Sequence, residues 1–326
     1  MDVLVTGGAG FIGSHLVEVL MNKGYRVTVL DNLSSGHKRN LDHILNSKCL
    51  KFLLGDCRVH DDVKEALKGV DAVFHFAANP EVRLELTSPE ECYEHNIKAT
   101  YVLLEGIRKS NVETIVFASS STVYGDATII PTPENYGPLK PISLYGASKL
   151  ACEALVSSYC YSFKKRGTII RLANIVGPRA THGVILDFIK KLKNNPSEIE
   201  ILGDGTQTKS YLYIGDCVEA IIKAYESAEE PVNIYNVGSE DQISVTDIAR
   251  IIAGEMGLED VKLKFTAGVD GGRGWIGDVK KMLLDVSKIK SIGWKPELNS
   301  KEAVRQAAKD LIKELLRARR RHEYAQ

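Results

Sequence analysis

The chain has no excess of charge of either sign: 42 lysines and arginines balance 42 aspartates and glutamates over 326 residues. The chain therefore lacks the excess of positive charge that is typical of proteins that bind nucleic acid or an anionic membrane. Long apolar runs are also missing, and none approaches the ~18 residues of a transmembrane helix. The first strand-like run begins at residue 2, which leaves no room for a signal peptide. We therefore expect a cytoplasmic protein that binds neither nucleic acid nor membrane.

Cysteine is scarce, and the six residues show neither a CxxC pair nor a zinc-type spacing. They are predicted to be small buried residues in a reducing compartment. No HxxxH motif suggests a bound metal, and no GxSxG motif suggests a hydrolase. His15 and His75 lie in or beside apolar segments, so we expect hydrogen-bonded structural histidines there. The sequence thus predicts no metal site.

Short apolar runs alternate with amphipathic helical patterns through the first half of the chain. The strand-like runs are 2–5, 25–30, 51–54, 71–76, 112–118 and 167–172, and helical patterns include 61–68, 89–109 and 145–165. This alternation predicts βαβ units and an α/β fold with a doubly wound parallel sheet of the Rossmann type. After Arg171, loops rich in Gly and Pro separate shorter elements, and the run 232–237 is expected to rejoin the sheet. A capping box of Asn299 and Glu302 predicts a C-terminal helix.

A glycine-rich segment containing Gly7, Gly10 and Gly13 links the first apolar run to a helical pattern. Glycines allow a tight turn and a close approach to a pyrophosphate, whose charge is favoured by the N–H groups at a helix start. Asp31 ends the second strand, near the expected spacing of about 20 residues. Its carboxylate can accept hydrogen bonds from a ribose 2′-hydroxyl and repels a 2′-phosphate. The pattern predicts NAD rather than NADP as the cofactor.

Tyr145 and Lys149 are four residues apart, on one face of a predicted helix. A phenol has a pKa of about 10, and a nearby ammonium with a positive nicotinamide ring stabilises its phenolate. The serines of 119–121 end the central strand and can orient a substrate alcohol. The same spacing occurs at Tyr136/Lys140, where Gly and Pro intervene, and at Tyr161/Lys165, at the far end of the helix. The position favours Tyr145 and Lys149 as the catalytic pair.

The motifs TGGAGFIG, DNLSSGHKRN, GDCR, HFAA, SSSTVYG, YGASK and NIVGPR occur in an order that resembles the extended short-chain dehydrogenase/reductases. The resemblance covers essentially the whole chain, and within the superfamily the chain is most similar to UDP-sugar 4-epimerases of the UDP-glucose 4-epimerase type. It implies an isomerase of carbohydrate metabolism that oxidises and re-reduces C4 of UDP-glucose or UDP-galactose while NAD stays bound. The N-acetylated pair is a further option. The family uses the helices of 89–109 and 145–165 for a four-helix contact, which implies a homodimer.

Two interleaved domains follow from this reading. Residues 1–176 and 212–238 are expected to form the NAD-binding Rossmann domain. Residues 177–211 and 239–326 are expected to form a smaller α/β domain that binds the nucleotide-sugar.

The resemblance also implies roles for residues at matching positions. Tyr145 is the implied base, Lys149 binds the nicotinamide ribose, and Ser120 is the family's catalytic hydroxyl. The implied cofactor contacts are Gly7, Gly10, Phe11, Ile12, Gly13, Asp31, Asn32, Ser35, Gly36, Asp56, Cys57, Phe76, Ala77, Ala78, Asn96, Tyr145 and Lys149. The implied substrate contacts are Ser120, Ser121, Tyr145, Asn174, Val184, Lys209, Arg273 and Met282.

Ser121 and Thr122 stand where related 4,6-dehydratases carry acids and decarboxylases carry a glutamate. Neither hydroxyl can act as a carboxyl acid or base, so the pair favours an epimerase. UDP-glucuronate 4-epimerase, nucleotide-sugar 4,6-dehydratase and an NAD-loaded binding or sensor module are the alternatives.

Two departures from the family pattern leave the sugar open. Lys209 stands where many relatives have an arginine, and a lysine offers a point charge without bidentate geometry. The loop 271–278 is longer than the family pattern between Arg273 and its aspartate, and Arg273 is the candidate phosphate ligand. Met282 is adaptable and does not decide between a hexose and an N-acetylhexosamine.

Overall fold

The computed structural model describes residues 1–81 and 88–323, with side chains to residue 317. Its strands are β1 (Asp2–Thr6), β2 (Arg26–Asp31), β3 (Leu50–Leu54), β4 (Ala72–His75), β5 (Thr114–Ser120), β6 (Arg166–Leu172), β7 (Asn174–Val176), β8 (Glu198–Ile201), β9 (Thr208–Lys209), β10 (Tyr211–Tyr213), β11 (Val232–Val237), β12 (Ile243–Ser244), β13 (Lys262–Phe265) and β14 (Lys281–Met282).

The helices are α1 (Phe11–Asn22), α2 (His60–Ala66), α3 (Pro89–Cys92), α4 (Ala99–Arg108), α5 (Leu144–Phe163), α6 (Val184–Asn194), α7 (Ile214–Glu226), α8 (Val245–Glu255), α9 (Ser287–Ser291) and α10 (Ser300–Glu323). A π-helical turn, Tyr93–Lys98, joins α3 to α4. Each helix of the described residues is too short or too polar to span a bilayer.

Seven strands form the central sheet in the order β11-β6-β5-β4-β1-β2-β3, and every pairing among them is parallel. Alternate residues of β1 enter different cores: Val5 packs with residues of α1, and Leu4 packs with residues of α4. A sheet with apolar layers on both faces is typical of parallel α/β folds. The predicted doubly wound parallel sheet is confirmed.

A third apolar core lies outside this sheet, where α6, α8 and α10 pack together with β8. Three small sheets accompany it: β10 with β7, β13 with β8, and β9 between β12 and β14. The predicted domain limits stay a prediction. Near one of them, strand β7 leaves the large sheet to pair with β10.

The predicted strands and helices are present with small shifts of their ends. The predicted helix 89–109 is interrupted by the π-helical turn, which the apolar spacing did not show. The capping box is confirmed, because Asn299 N–H donates to Glu302 Oε2 and Glu302 N–H donates to Asn299 Oδ1, each at 3.0 Å. The six cysteines are free, but Cys49 is exposed, so the prediction that all are buried was wrong there. Cys49 lies in the loop before β3, outside the apolar layers.

Candidate active site

A cavity of about 450 Å³ opens at the carboxyl ends of the sheet strands. The loops after β1, β2, β4 and β5 form one wall, and the loop 177–183 with the segment 275–282 forms the other. Strand β1 lies between β4 and β2, at the point where the strand order reverses. Ligands of open α/β sheets bind in the crevice at this switch point.

The turn after β1 requires glycine. Gly7 has φ +70°, and a Cβ there would lie 2.6 Å from the backbone nitrogen of Ala77. A Cβ at Gly13 would lie 2.1 Å from the carbonyl oxygen of Gly7. Helix α1 starts directly after this turn, and no side chain of the described residues caps it. The first-turn N–H groups are therefore available to a phosphate, and Gly10 and Phe11 line the cavity at this point.

Asp31 is held on the cavity wall by two backbone donors. Its Oδ2 accepts from Ala9 N–H at 2.9 Å and its Oδ1 accepts from Leu33 N–H at 2.8 Å. Burial raises the pKa of Asp31, while the two backbone hydrogen bonds oppose that rise. Each carboxylate oxygen keeps acceptor capacity for a ribose hydroxyl. The acceptor oxygens of Asp31 and the glycine turn after β1 fit a dinucleotide.

A second carboxylate, Asp56, lies farther along the same wall. Asn32 Nδ2 donates to it at 2.9 Å, and the Arg58 guanidinium pairs with it at 2.8 Å. The side-chain hydrogen bond with Arg58 holds the pKa of Asp56 well below its usual range. Asp56 is therefore a fixed anion, at the position predicted to lie near adenine.

Tyr145 and Lys149 face the cavity from the first two turns of α5. Ser143 caps this helix, because its Oγ accepts from Gly146 N–H at 3.0 Å. Lys149 is 4% exposed, its Nζ donates to the Ala118 carbonyl at 2.9 Å, and its Nζ lies 5.8 Å from the centre of the Tyr145 ring. Burial lowers the pKa of Lys149 to about 8.

Burial also raises the pKa of Tyr145 to about 12, and a hydrogen bond with Ser120 opposes that rise. The phenol of the cofactor-free site is thus protonated at neutral pH. The ammonium of Lys149 and a cationic ring bound beside it would favour the phenolate. Ser120 ends β5, and its Oγ accepts from the N–H of Thr122 at 3.2 Å and from its hydroxyl at 2.9 Å.

The far half of the cavity carries an ion pair, Lys209 with Asp278, at 2.6 Å. Trp275 lines the same region, and Lys209 Nζ lies 5.5 Å from its ring centre. Asn174 Nδ2 donates to the Ser210 carbonyl at 3.0 Å, and Met282 is 8% exposed. This half is polar, with an ammonium suited to a phosphate group.

Most of the predicted contacts line the cavity. In the cofactor half these are Gly7, Gly10, Phe11, Ile12, Gly13, Asp31, Asn32, Ser35, Gly36, Asp56, Cys57, Phe76, Ala77, Ala78, Tyr145 and Lys149. In the substrate half these are Ser120, Ser121, Asn174, Val184, Lys209 and Met282. Their individual roles stay predictions.

Two predicted contacts lie elsewhere. Asn96 is buried behind the wall, where its amide accepts from Asn79 N–H at 2.8 Å and donates to Ser148 Oγ at 2.9 Å. Arg273 turns toward Asp126 and pairs with it at 2.8 Å. In this arrangement Asn96 holds the loop after β4, and Arg273 would have to leave Asp126 to reach a phosphate.

The sequence reasoning assigned no contact to the loop 177–183, although its Gly177, Thr181, His182 and Gly183 line the cavity. Its richness in Gly and Pro was the available signal. Thr122 and Trp275 also line the cavity, and neither was a predicted contact.

The two histidines are structural, as predicted. His75 is buried, with Nδ1 at 2.7 Å from Thr6 Oγ1 and Nε2 at 2.9 Å from Thr100 Oγ1. Burial lowers its pKa to about 3, so the ring is neutral. His15 Nδ1 lies 2.9 Å from the Phe11 carbonyl. Among the described residues, no group of three His, Cys, Asp or Glu side chains could hold a metal ion.

The Rossmann sheet and this site define an NAD-dependent enzyme. Residues 3–238 match the NAD dependent epimerase/dehydratase family, and the chain belongs to that family. The resemblance drawn from the motifs is confirmed.

Proteins similar to the chain include both 4-epimerases and a 4,6-dehydratase. A crystal structure of a UDP-galactose 4-epimerase is 45% identical, with a TM-score of 0.86, over 97% of this chain and 100% of that chain. The UDP-glucose 4-epimerase of Thermotoga maritima, solved with UDP-glucose, is 31% identical with the same TM-score and coverage. The dTDP-D-glucose 4,6-dehydratase of Homo sapiens is 31% identical over 93% of this chain and 87% of that protein.

Proposed function

We propose that the protein is a UDP-hexose 4-epimerase that interconverts UDP-glucose and UDP-galactose with retained NAD. The supporting observation is the chemistry of the reacting end, where Tyr145 and Lys149 face the hydroxyls of residues 120–122. Among the described residues, the carboxylates that line the cavity are Asp31, Asp56 and Asp278. The first two lie in the cofactor half, and the third is paired with Lys209.

In the proposed reaction Tyr145 accepts the proton of the sugar 4-hydroxyl and later returns it. Lys149 keeps a positive charge near the phenolate, and Ser120 donates a hydrogen bond to the phenolic oxygen of Tyr145. Bound NAD⁺ supplies the reversible two-electron oxidation of the sugar carbon. Lys209 at the far end would hold the diphosphate, so that the sugar presents first one face and then the other. The outcome is inversion at one carbon with no net oxidation.

A dehydratase must also eliminate water, which needs an acid and a base beside the sugar. Ser121 and Thr122 supply hydroxyls at that place, which supports epimerisation over dehydration. UDP-glucuronate epimerisation uses the same C4 chemistry, so it is an arm of the test. The N-acetylated hexoses form another arm, because Met282 can adapt to them.

The test is incubation of purified protein with UDP-glucose, UDP-N-acetylglucosamine, UDP-glucuronate and dTDP-glucose, followed by separation of the products. We expect the 4-epimer of UDP-glucose to form without added NAD. Accumulation of a 4-keto-6-deoxy sugar would instead support the dehydratase, and a uronate epimer alone would support the second candidate.

The matched variants are Tyr145→Phe and Tyr161→Phe, which remove one phenolic oxygen each from the same helix and the same Tyr-x-x-x-Lys spacing. Tyr161 is 65% exposed and is not among the residues that line the cavity. Tyr145→Phe should lower turnover by at least 10²-fold with NAD still bound, the range of a lost general base. Tyr161→Phe should leave turnover unchanged. Equal turnover of both variants would refute the assignment of Tyr145.

We also propose a cytoplasmic homodimer that pairs through α4 and α5. Exposed aromatic side chains on these helices support the contact: Tyr101 is 46% exposed, Tyr161 65% and Phe163 43%. An apolar surface of this kind is typical of an interface. Light scattering on a sizing column should give twice the 35.9 kDa chain mass. A monomer at micromolar concentration would refute the dimer.

A further inference from the structure

We propose that Thr122 is a positioning residue that fixes the direction in which the Ser120 hydroxyl donates its proton. The inference rests on the proposed role of Tyr145 as the base and adds a residue to that machinery.

Ser120 Oγ has two lone pairs and one proton. It caps the short 3₁₀ turn Ser121–Tyr124, and Thr122 N–H donates to it at 3.2 Å. The Thr122 hydroxyl donates to the same oxygen at 2.9 Å. Both lone pairs are then engaged by one residue, so the remaining interaction of Ser120 is donation of its own proton.

The phenol is the acceptor on this side: Ser120 and Tyr145 line the same cavity, and a hydrogen bond from Ser120 opposes the rise in the pKa of Tyr145. Among the described residues, the other titratable groups that face this phenol are Lys149 and Cys152 from α5 and Cys92 from α3. Burial raises the pKa of the Cys152 thiol, which keeps that group neutral. Within the described part of the chain, Lys149 and the Ser120 hydroxyl are therefore the groups that stabilise a phenolate.

A hydroxyl that can only donate stabilises an oxyanion but does not compete for the proton that the phenolate must take from the sugar. If Thr122 lost its hydroxyl, Ser120 would gain a free lone pair and could accept a hydrogen bond from the sugar or from water. The phenol would then be a weaker acid, and the step that needs the phenolate would slow.

The test compares Thr122→Val, which keeps the shape and the backbone N–H, with Thr122→Ser, which keeps the hydroxyl. The readout is ultraviolet titration of the NAD-loaded protein without sugar, as a difference against Tyr145→Phe to remove the other 12 of the 13 tyrosines. We expect Thr122→Val to raise the pKa of the phenol by about 0.5–1 unit, the size of one neutral hydrogen bond. Thr122→Ser should match the unchanged protein.

Turnover supplies the second readout. Thr122→Val should lower kcat by about 3–10-fold with KM within about twofold, and raising the pH should recover the loss. In a Ser120→Ala background, Thr122→Val should have no further effect on kcat or on the pKa of the phenol, because the Ser120 hydroxyl through which Thr122 acts is absent. If Thr122→Val did not fold, Thr122→Ala would serve in its place.

Two results would overturn the proposal: an unshifted phenol in Thr122→Val, or an equal further loss in the Ser120→Ala background. Failure to epimerise any UDP-sugar would refute the proposed function, while the phenol titration would still decide the role of Thr122.

Discussion

Gly13→Ala is the sharpest test of the cofactor cradle. The added Cβ would lie 2.1 Å from the Gly7 carbonyl oxygen, 2.9 Å from the Gly7 carbonyl carbon and 3.0 Å from the Gly8 Cα. All three atoms belong to the backbone of the turn, so none can rotate away. Relief to an ordinary contact needs a shift of about 1 Å or more, and overpacking of this kind costs typically about 1–3 kcal/mol.

The shift moves the N-terminus of α1 away from the turn, so the first-turn N–H groups no longer point toward the phosphates of the bound dinucleotide. Thermal unfolding should therefore begin several degrees lower, at roughly 2–4 °C per kcal/mol for chains of this order of size. Released nucleotide, measured by absorbance after acid precipitation, should fall from about one NAD per chain to a small fraction.

Gly254→Ala is the matched control, since this glycine lies in α8 and an added Cβ would meet nothing within 4 Å. A helical Gly→Ala change should leave stability equal or up to about 1 kcal/mol higher, with NAD content unchanged. If Gly13→Ala kept its NAD and its unfolding temperature, the close packing of Gly13 on Gly7 would be refuted.

Two further changes test buried charges. Arg171→Met should lower the free energy of unfolding in urea by about 3–5 kcal/mol, because it leaves the buried Glu153, its ion-pair partner at 2.7 Å, without a counter-charge. Arg166→Met, at the exposed end of the same strand, should lower it by less than about 1 kcal/mol. Equal losses for the two variants would contradict this. Lys149 has a folded pKa of about 8 against 10.5 unfolded, so its burial opposes folding below pH 8 and the penalty fades as pH rises toward 10.5. Lys149→Met should therefore stabilise the NAD-free protein at pH 7 by about 1–3 kcal/mol, with the gap closing at high pH, and a less stable variant at pH 7 would contradict it.

Much of the fold was predictable because its signals are local. The apolar run of β5 and the Asn299–Glu302 capping box need only neighbouring residues. The cofactor turn was predictable for the same reason, since its glycines and Asp31 lie within one βαβ unit.

The exceptions depend on partners distant in sequence. Asn96 is engaged by Ser148, 52 residues away, and Arg273 is engaged by Asp126, 147 residues away. A motif shows that an amide or a guanidinium is present at a position. It does not show whether another part of the chain already uses that group.

Glu153 shows how the same principle bears on the reaction. It lies one turn beyond Lys149, and its Oε1 accepts from Ser119 at 2.5 Å, so a carboxylate stands next to the strand end that carries Ser120. Arg171 holds both of its oxygens, and the side chain is 6% exposed. A carboxylate bound in this way cannot act as an acid or a base on a sugar. The reactions available to the site therefore depend on which of the surrounding carboxylates are free of ion pairs. The number of carboxylates near the site matters less.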